Sequence, residues 1–373
     1  MIYLDSAATT LQKPPTVYRA VRSAMATMTS PGRGTYGPAA RASRTLLACR
    51  EAAAALFQVD QPEQVVLTFN ATHGLNLAIH SLVRPGATVL LSGYEHNAVT
   101  RPLAAIPELR LRVVRAPMFC PDLFLEALEH QLNRGVDVVI CTHVSNVFGY
   151  ALPVEAVANL CRQRQVPLIV DASQSAGVLP VTMQAWGGPP LWPCPGHKSL
   201  YGPQGTGLLL CREGGEPCSG GAPAASRASR RCPTFCRTGW RRGPTTSPAR
   251  RGCWRGSGFS GGGGLLPSGG RRPPWWPSWP GGWTGCRGCR CTPLGRRGAR
   301  RGVLSFRVAH RDPGWVADAL SQRGVAVRAG LHCAPLAHAT GGTEATGTVR
   351  VSVSAFNTSG EVERFLKHMA RLG

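Results

Sequence analysis

The chain has 373 residues, which is long enough for two domains and a sizeable hydrophobic core. Hydrophobic residues make up 43% of it, as in globular proteins, and no apolar run is long enough to cross a membrane. The first residues lack the basic-then-apolar pattern of a secretory signal, so we expect a cytoplasmic location. The 14 cysteines are then expected to be thiols, nucleophiles or metal ligands rather than disulfides.

The net charge of +23 is typical of nucleic-acid-binding proteins, but its distribution argues against that class. Residues 217–301 contain 17 arginines and no lysine, aspartate or glutamate, so this segment supplies +17 and the rest of the chain only +6. Six of the nine tryptophans and seven of the 14 cysteines also lie there. The basic charge therefore belongs to one segment, and we do not expect nucleic acid as a partner.

Helix and strand patterns alternate from residue 16 to residue 213. Apolar residues at helical spacing predict helices in PTVYRAVRSAMATM and RASRTLLACREAAAALFQV. Short β-branched or leucine-rich runs predict strands in QVVLTF, ATVLLSG, DVVICTHVSN, VPLIVDAS and GTGLLLCR. Continuous apolar strands that alternate with helices predict an α/β fold with a mostly parallel sheet covered on both faces. In such sheets ligands bind at the carboxyl ends of the strands.

From Gly302 onward the patterns predict a small α+β domain. The predicted strands are GVLSFRVA, VAVRAG and GTVRVSVSAF, and TSGEVERFLKHMARL is a predicted closing helix. DPGWVADALSQRG has an aspartate N-cap, an early proline and a terminal glycine, which predict another helix. We expect residues 1–13 to join 302–373 in this small domain, beside a large domain formed by residues 14–301.

A lysine on a glycine-flanked turn is the first candidate for chemistry. Lys198 follows His197 in PGHKSLYGPQGTG, just before the predicted strand TGLLL. A lysine held on a turn can form a Schiff base if burial or charged neighbours lower its pKa. A solvated surface lysine is the alternative, and the His-Lys pair alone does not exclude it.

Two groups of polar residues follow predicted strands. Asp171 ends the strand LIVD, with Gln174 three residues later, where a carboxylate can pair with the ring nitrogen of a pyridine cofactor or cap a helix. Asn70, Ala71 and Thr72 lie between a strand and a helix. Backbone N–H groups and a hydroxyl there can bind a phosphate or form an ordinary capping turn.

Two more candidates follow strands further along the same predicted sheet. His96 lies in SGYEHNAVTRP, where an imidazole can stack on an aromatic cofactor and carry protons, or simply be solvated. Asn146 ends a strand in HVSNVFG.

The predicted small domain contributes a cysteine and an arginine. Cys333 lies in the glycine-bounded loop RAGLHCAP, beside His332 and near Arg328. Basic neighbours favour the thiolate form, although an inert buried cysteine is the alternative. Arg350 lies on the predicted strand GTVRVS, where it can bind a carboxylate through two N–H groups or be a surface residue.

The order of these motifs is more specific than any one of them. The chain resembles the cysteine desulfurases of the class V aminotransferase group, which are fold-type I enzymes that use pyridoxal phosphate. The matching pieces are YLDSAATT, GRGTYGPAA, NATHGLNLA, EHNAV, SNVFG, VDASQSAG, GHKSLYGPQGTG, VRAGLHCA and GTVRVSVSAFNT, which cover residues 1–213 and 302–373.

The resemblance implies that five residues surround the ring of pyridoxal phosphate. Lys198 would bind the cofactor covalently, and Asp171 would keep its ring nitrogen protonated. Gln174, helped by Asn146, would bind the ring oxygen. His96 would stack on the ring and move protons.

The resemblance also implies the remaining roles. Ala71, Thr72 and His197 would hold the phosphate, and Arg350, helped by Asn146, would bind the substrate carboxylate. Cys333 would take the sulfur of L-cysteine as a persulfide, with L-alanine as the other product. A sulfur-acceptor protein and a second copy of the chain, in a homodimer, would be its partners.

Two alternative functions stay open at this point. One is a selenocysteine lyase or another class V pyridoxal-phosphate enzyme, although RAGLHCA around Cys333 favours sulfur or selenium chemistry over transamination. The other is a basic nucleic-acid-binding protein that has lost catalysis.

Two positions and one segment depart from the family pattern. Pro195 stands two residues before the His-Lys pair, where the family often has a serine or threonine that binds the phosphate. GGPPLWPCP stands where a strand of the Asp-Leu-Leu type is expected, and His73 replaces a glutamate.

The largest departure is the arginine-rich segment. The family carries a glycine-threonine loop there, written EAGTxNxPGxxGLxxGxxFL, which reaches the partner subunit's phosphate in many members. Back-translated with GC-rich codons and read one register over, the sequence from Arg241 to Ser260 can encode PGPHNVPGAAGLLAGLRFL. We therefore hypothesise that residues 215–301 are a frameshifted translation, with the frame restored near Gly302.

The composition of the same segment has three competing interpretations. An arginine- and tryptophan-rich tract can bind single-stranded nucleic acid, but this one lacks domain-like periodicity. Cys286, Cys289 and Cys291 can ligate zinc, but a second well-spaced pair is missing, so we expect no metal site. A disordered insert is the third alternative, although six tryptophans are unusual in a solvated linker.

Sequencing the gene and its transcript across codons 187–302 is expected to show the family's frame in this region. A chain with the printed sequence lacks large-domain core and interface residues, and typical stability is only about 5–15 kcal/mol. It should therefore be poorly soluble, with weak or no activity. An error-free frame that encodes the printed residues, or a soluble and active protein that contains them, would contradict the hypothesis. The variants proposed below are to be made in the chain that the sequenced gene encodes.

Overall fold

Strands and helices alternate through the first half of the chain, as its sequence predicts. The computed structural model of the protein describes residues 1–180, 183, 191–211, 291–293 and 302–372. In chain order the strands are β1 (Ile2–Tyr3), β2 (Val65–Thr68), β3 (Thr88–Leu91), β4 (Arg110–Val113), β5 (Val138–Thr142), β6 (Leu168–Asp171), β7 (Trp192–Pro195), β8 (Gly207–Leu210), β9 (Cys291–Pro293), β10 (Val303–Val308), β11 (Val325–Ala326), β12 (Arg328–Gly330) and β13 (Thr348–Ser352).

Most helices begin at a proline, a polar cap or both. They are α1 (Pro15–Thr27), α2 (Gly37–Phe57), α3 (Ala71–Leu82), α4 (Asn97–Ala104), α5 (Pro121–Leu132), α6 (Val154–Gln163), α7 (Pro313–Ser321), α8 (Pro335–Thr340) and α9 (Ser359–Met369). The predicted cap of α7 is confirmed, because the Asp312 side chain accepts hydrogen bonds from the N–H groups of Gly314 and Trp315. In the described part of the chain, no helix combines the length and the apolar character that a membrane span requires.

The central sheet runs in the order β4–β3–β5–β6–β7–β8–β2. Strands β4, β3, β5 and β6 are parallel, and a parallel bridge between Ile169 and Leu191 continues the sheet into β7. Strand β8 is antiparallel to both of its neighbours, β7 and β2. The sheet is therefore mostly parallel, which confirms the predicted fold class.

Helices cover both faces of this sheet. Alternate residues of a strand point to opposite faces, and those of β3 divide accordingly between two core clusters. Leu90 packs in one cluster with α2, α5 and α6, whereas Val89 and Leu91 pack in the other with α3 and α4. The apolar runs in the sequence thus reflect strands that are buried on both sides.

A third core cluster combines residues from both ends of the chain. Ile2 and Leu4 pack with Phe306, Val349 and Phe365, among others. Strands β12, β13, β10 and β9 form an antiparallel sheet in that order, and β1 pairs in parallel with β11. The predicted small domain requires this packing of the first residues against the C-terminal segment. The domain boundaries themselves stay a prediction.

One predicted strand is divided in the structure. The run VAVRAG forms β11, which pairs with β1, and β12, which pairs with β13, with Val327 between them. The pattern could not show this division because the two halves have different partners. Apart from β9, the segment 215–301 with its proposed frameshift and zinc ligands lies outside the described residues.

Gly207 allows β8 to lie directly against the turn before α3. A Cβ atom there would be 2.7 Å from the carbonyl carbon of Asn70 and 2.7 Å from Oγ1 of Thr68. The missing side chain therefore fixes where α3 begins relative to β8.

Gly207→Ala is expected to lower the free energy of unfolding by about 1–3 kcal/mol, the usual cost of overpacking a tight site. Denaturant unfolding of the two proteins measures the difference. Gly360→Ala is the matched control, because a Cβ atom at that helical position meets no atom within 4 Å. A Gly207→Ala protein as stable as its parent would contradict the close approach.

Candidate active site

Polar residues follow several strands at one edge of the central sheet. Asn70 follows β2, His96 follows β3, Asn146 follows β5 and Asp171 ends β6. These four strands point in the same direction, so their carboxyl ends meet at one edge. The structure therefore brings together residues that lie about a hundred positions apart, as the sequence predicts.

Lys198 lies on the turn between β7 and β8, at the same edge. Its carbonyl oxygen accepts hydrogen bonds from Tyr201 N at 2.9 Å and from the Thr10 hydroxyl at 3.3 Å. The pKa of the Lys198 amine is lowered to about 8, chiefly by burial; Asp171 opposes this shift, and the positive charge of Arg350 contributes to it. The lysine is therefore held on a fixed turn and is partly uncharged near neutral pH.

His96 caps the N-terminus of α4. Its Nδ1 accepts a hydrogen bond from the N–H of Ala98 at 3.0 Å, so a neutral His96 carries its proton on Nε2. Burial lowers the pKa of the imidazole, Asp171 opposes the shift, and Lys198 adds to it. The preceding Glu95 is fully buried and accepts hydrogen bonds from the turn that leads to His96.

The N-terminal segment of the chain packs against the cofactor-binding candidates. Gln174 Nε2 donates to the Ala7 carbonyl at 2.9 Å, and the His197 ring lies 3.1 Å from the Thr9 hydroxyl. Burial, with the charge of Lys198, lowers the pKa of His197 to about 4, so its ring is neutral. Asp171 accepts a hydrogen bond on Oδ1 from Ser173 N at 2.9 Å.

The N-terminus of α3 keeps free donors. Asn70 accepts a hydrogen bond from His73 N at 2.8 Å, so the capping turn is present. The N–H groups of Ala71 and Thr72 make no hydrogen bond to any described residue. Asn70, the residue before Ala71, lies close to Gly207, which follows the turn that carries Lys198. The N-terminus of α3 is therefore held beside that turn.

Arg350 is almost completely buried, which excludes the alternative of a surface arginine. Its Nη2 lies 2.7 Å from Oδ1 of Asp5, and its Nη1 donates to the Asn146 carbonyl at 3.1 Å. Its Nε is buried and has no hydrogen-bond partner among the described residues. Sequence reasoning missed Asp5, although this aspartate lies inside the motif YLDSAATT.

Cys333 is exposed, which excludes the alternative of an inert buried thiol. It lies on the loop between β12 and α8, and its carbonyl oxygen accepts a hydrogen bond from Asn97 N at 2.7 Å. Asn97 follows His96 directly, so the loop is attached beside the imidazole. Cys333 also interacts electrostatically with Arg350.

The structure therefore brings predicted site residues from both ends of the chain together. Electrostatic interactions link His96, Asp171, Lys198, Arg350 and Cys333. In the described ranges, no group of three or more histidine, cysteine, aspartate or glutamate side chains could hold a metal ion.

A family model matches most of the chain. The model for "Aminotransferase class-V" matches residues 2–241 and 286–365. The chain belongs to the aminotransferase class-V family. Residues 242–285, which the model leaves unmatched, lie inside the segment to which the frameshift hypothesis applies, and that hypothesis stays a prediction.

Curated relatives of this family member are named as desulfurases. A "Cysteine desulfurase IscS" of Shewanella sediminis is 33% identical over 57% of this chain and 53% of its own length. A "Probable cysteine desulfurase" of Vibrio cholerae is 28% identical over 98% of this chain and 92% of its own length. With several of its curated relatives, the match spans only about half of their length.

A solved structure shares the fold. The apo structure of a cysteine desulfurase from Thermococcus onnurineus NA1 superposes with a TM-score of 0.81 at 24% identity, over all of this chain and 94% of that one. The predicted fold type is therefore confirmed.

The pKa of Lys198 predicts how cofactor-free protein reacts with an aldehyde. Trapping with pyridoxal phosphate and borohydride at Lys198 is expected to rise with pH and to be half-maximal near pH 8, because only the uncharged amine attacks. Peptide mass spectrometry measures the labelled fraction, and the exposed Lys367 in the same digest is the internal control. Equal pH profiles at the two lysines would contradict the shift.

Proposed function

We propose that this chain is a cysteine desulfurase that uses pyridoxal phosphate, converts L-cysteine to L-alanine and takes the sulfur onto Cys333. The observation that carries the proposal is the position of the Cys333 thiol. It is exposed, its loop is hydrogen-bonded to the residue after His96, and it lies within the electrostatic reach of the buried Arg350. Because transamination needs no thiol nucleophile, an exposed thiol at this point favours sulfur chemistry over transamination.

The chemistry of the site fits pyridoxal phosphate, which the family implies. Free N–H groups at the N-terminus of α3 suit a phosphate. The Asp171 carboxylate suits a protonated ring nitrogen. The residues that would hold the cofactor are Ala71, Thr72, His96, Asn146, Asp171, Gln174, His197 and Lys198.

Pyridoxal phosphate, when bound, supplies an electron sink next to the substrate α-carbon. The protein supplies the nucleophilic amine that holds the cofactor. Since the pKa of Lys198 is about 8, a share of the amine is uncharged near neutral pH and available both as a nucleophile and as a proton carrier.

Two side chains handle charge and protons on the substrate. Arg350 is a cation whose Nη2 is held by Asp5 and whose Nε has no partner among the described residues. It would bind the substrate carboxylate through Nε while Asp5 keeps the guanidinium in position. His96 has a lowered pKa, and the Nε2–H of its neutral ring can donate a hydrogen bond to the substrate or cofactor.

Cys333 carries the sulfur-transfer step. Its thiolate attacks the sulfur of the substrate, so that an S–S bond forms as the bond between that sulfur and the substrate β-carbon breaks. The electron pair of the broken bond stays with the carbon, which takes up a proton and becomes the methyl group of alanine. The persulfide and alanine together contain every atom of the cysteine and the thiol.

We also propose two partners, a sulfur-acceptor protein and a second copy of the chain. The exposed position of Cys333 would let an acceptor protein reach the persulfide. A homodimer is predicted from the family resemblance.

Cys333→Ala is expected to abolish alanine and sulfide formation from L-cysteine, because the nucleophile is removed. The absorbance of bound pyridoxal phosphate should stay unchanged, because no cofactor-binding group is altered. Product assays and an absorbance scan of the same sample measure the two effects.

Cys120→Ala is the matched control, since Cys120 is a half-buried free cysteine outside the site. It should leave turnover unchanged. If Cys333→Ala loses the cofactor together with activity, Cys333 has a structural role instead. If the parent chain takes up no pyridoxal phosphate, the enzyme assignment itself is wrong.

A further inference from the structure

The dipeptide that contains the nucleophile has an unusual backbone conformation. His332 has a φ of 50° and Cys333 a φ of 57°, so two consecutive residues other than glycine lie in the left-handed region. In that region Cβ comes close to the following carbonyl oxygen. Such conformations persist only where the surroundings hold them in place, and they cluster at functional sites.

Three hydrogen bonds hold this dipeptide. Asn146 Nδ2 donates to the His332 carbonyl at 2.8 Å, and Asn97 N donates to the Cys333 carbonyl at 2.7 Å. The third joins Nε2 of the His332 ring to the Thr348 hydroxyl at 3.0 Å. The backbone carbonyls and the imidazole are therefore all attached to neighbouring elements.

The direction of the third bond follows from the groups behind it. The Ser305 hydroxyl donates its proton to the Val147 carbonyl at 2.6 Å, because a carbonyl can only accept. The Thr348 hydroxyl must then donate to Ser305, at 3.2 Å. Thr348 therefore accepts from His332, which must carry its proton on Nε2.

The chain of hydroxyls is closed to solvent. Ser305 and Thr348 are both fully buried, and His332 is only 4% exposed. Burial lowers the pKa of His332 to about 2, so the ring is neutral at ordinary pH. Its Nδ1 is buried and has no hydrogen-bond partner among the described residues, which agrees with a proton on Nε2 alone.

We propose that Thr348 and Ser305 are positioning residues for Cys333. They fix the tautomer and orientation of the His332 ring, and the ring holds the adjacent Cys333 in the left-handed conformation that presents its thiol. Because Val147 follows Asn146, one turn holds His332 both through its carbonyl and through its ring. The effect on sulfur transfer rests on the proposed function, whereas the effect on the loop does not.

Thr348→Val removes the acceptor while keeping the shape of the side chain. The kcat for alanine formation is expected to fall about tenfold or more, because misplacing reacting groups by about 1 Å can lower a rate by up to 10²-fold. The KM for cysteine and the cofactor absorbance should stay unchanged, because ground-state binding is not altered. Thr348→Ser keeps the hydroxyl and should restore kcat.

Hydrogen exchange followed by mass spectrometry gives a readout that does not need activity. The amides of residues 331–334 should exchange several-fold faster in Thr348→Val than in the parent or in Thr348→Ser. Thr88→Val is the matched control, because the buried Thr88 hydroxyl also accepts a side-chain N–H, from Arg110 Nε at 3.2 Å, at the amino end of β3, away from Cys333. It should change neither the exchange of this loop nor kcat.

Unchanged exchange in Thr348→Val would overturn the proposal. So would a fall in kcat of equal size in Thr88→Val, since that would indicate a general effect of losing a buried hydrogen bond. If exchange rises but kcat does not fall, the network holds the loop without setting the reaction, and the proposal also fails. A parent chain that releases no alanine would refute the proposed function, while the exchange data would still decide the proposal about the loop.

Discussion

The ion pair between Asp5 and Arg350 is the contact on which the rest of the site depends. Arg350 is buried, so removing its partner would leave a buried charge uncompensated, which typically costs about 3–5 kcal/mol. The pair fixes the N-terminal segment against the carboxyl edge of the central sheet. From there Ala7, Thr9 and Thr10 reach the residues around Lys198. Both ends of the chain are therefore required to build one site.

The charges at this edge suit an anionic ligand. Lys198, Arg350 and Arg328 act on each other and on His96, and the carboxylates of Asp171 and Asp5 balance them only in part. A bound phosphate and a substrate carboxylate would complete the balance. The same surroundings explain why the pKa of Lys198 is low, since burial and neighbouring cations both disfavour its charged form.

Sequence patterns predicted the helices and strands that are determined by residues close together in the chain. The helix at α7 was predicted from Asp312 and Pro313, and the buried strand β6 from its apolar run, because caps and apolar periodicity act over a few residues. The strand β4 gave no such signal, because its sequence RLRV alternates arginines with apolar residues at the edge of the sheet. The division between β11 and β12 was also hidden, because it depends on which distant strand each half meets.

The sequence by itself determined which residue types are present for the chemistry and where they lie relative to the strands: a lysine on a turn, an aspartate at the end of a strand and a cysteine in a loop between glycines. Their order also identified the family. Only the tertiary structure decided which of them are buried, paired or exposed. It showed that Arg350 is buried against Asp5 and that Cys333 is exposed. It also showed that Thr348 is hydrogen-bonded to both His332 and Ser305. These facts depend on contacts between segments up to about 345 residues apart, and no local pattern encodes them.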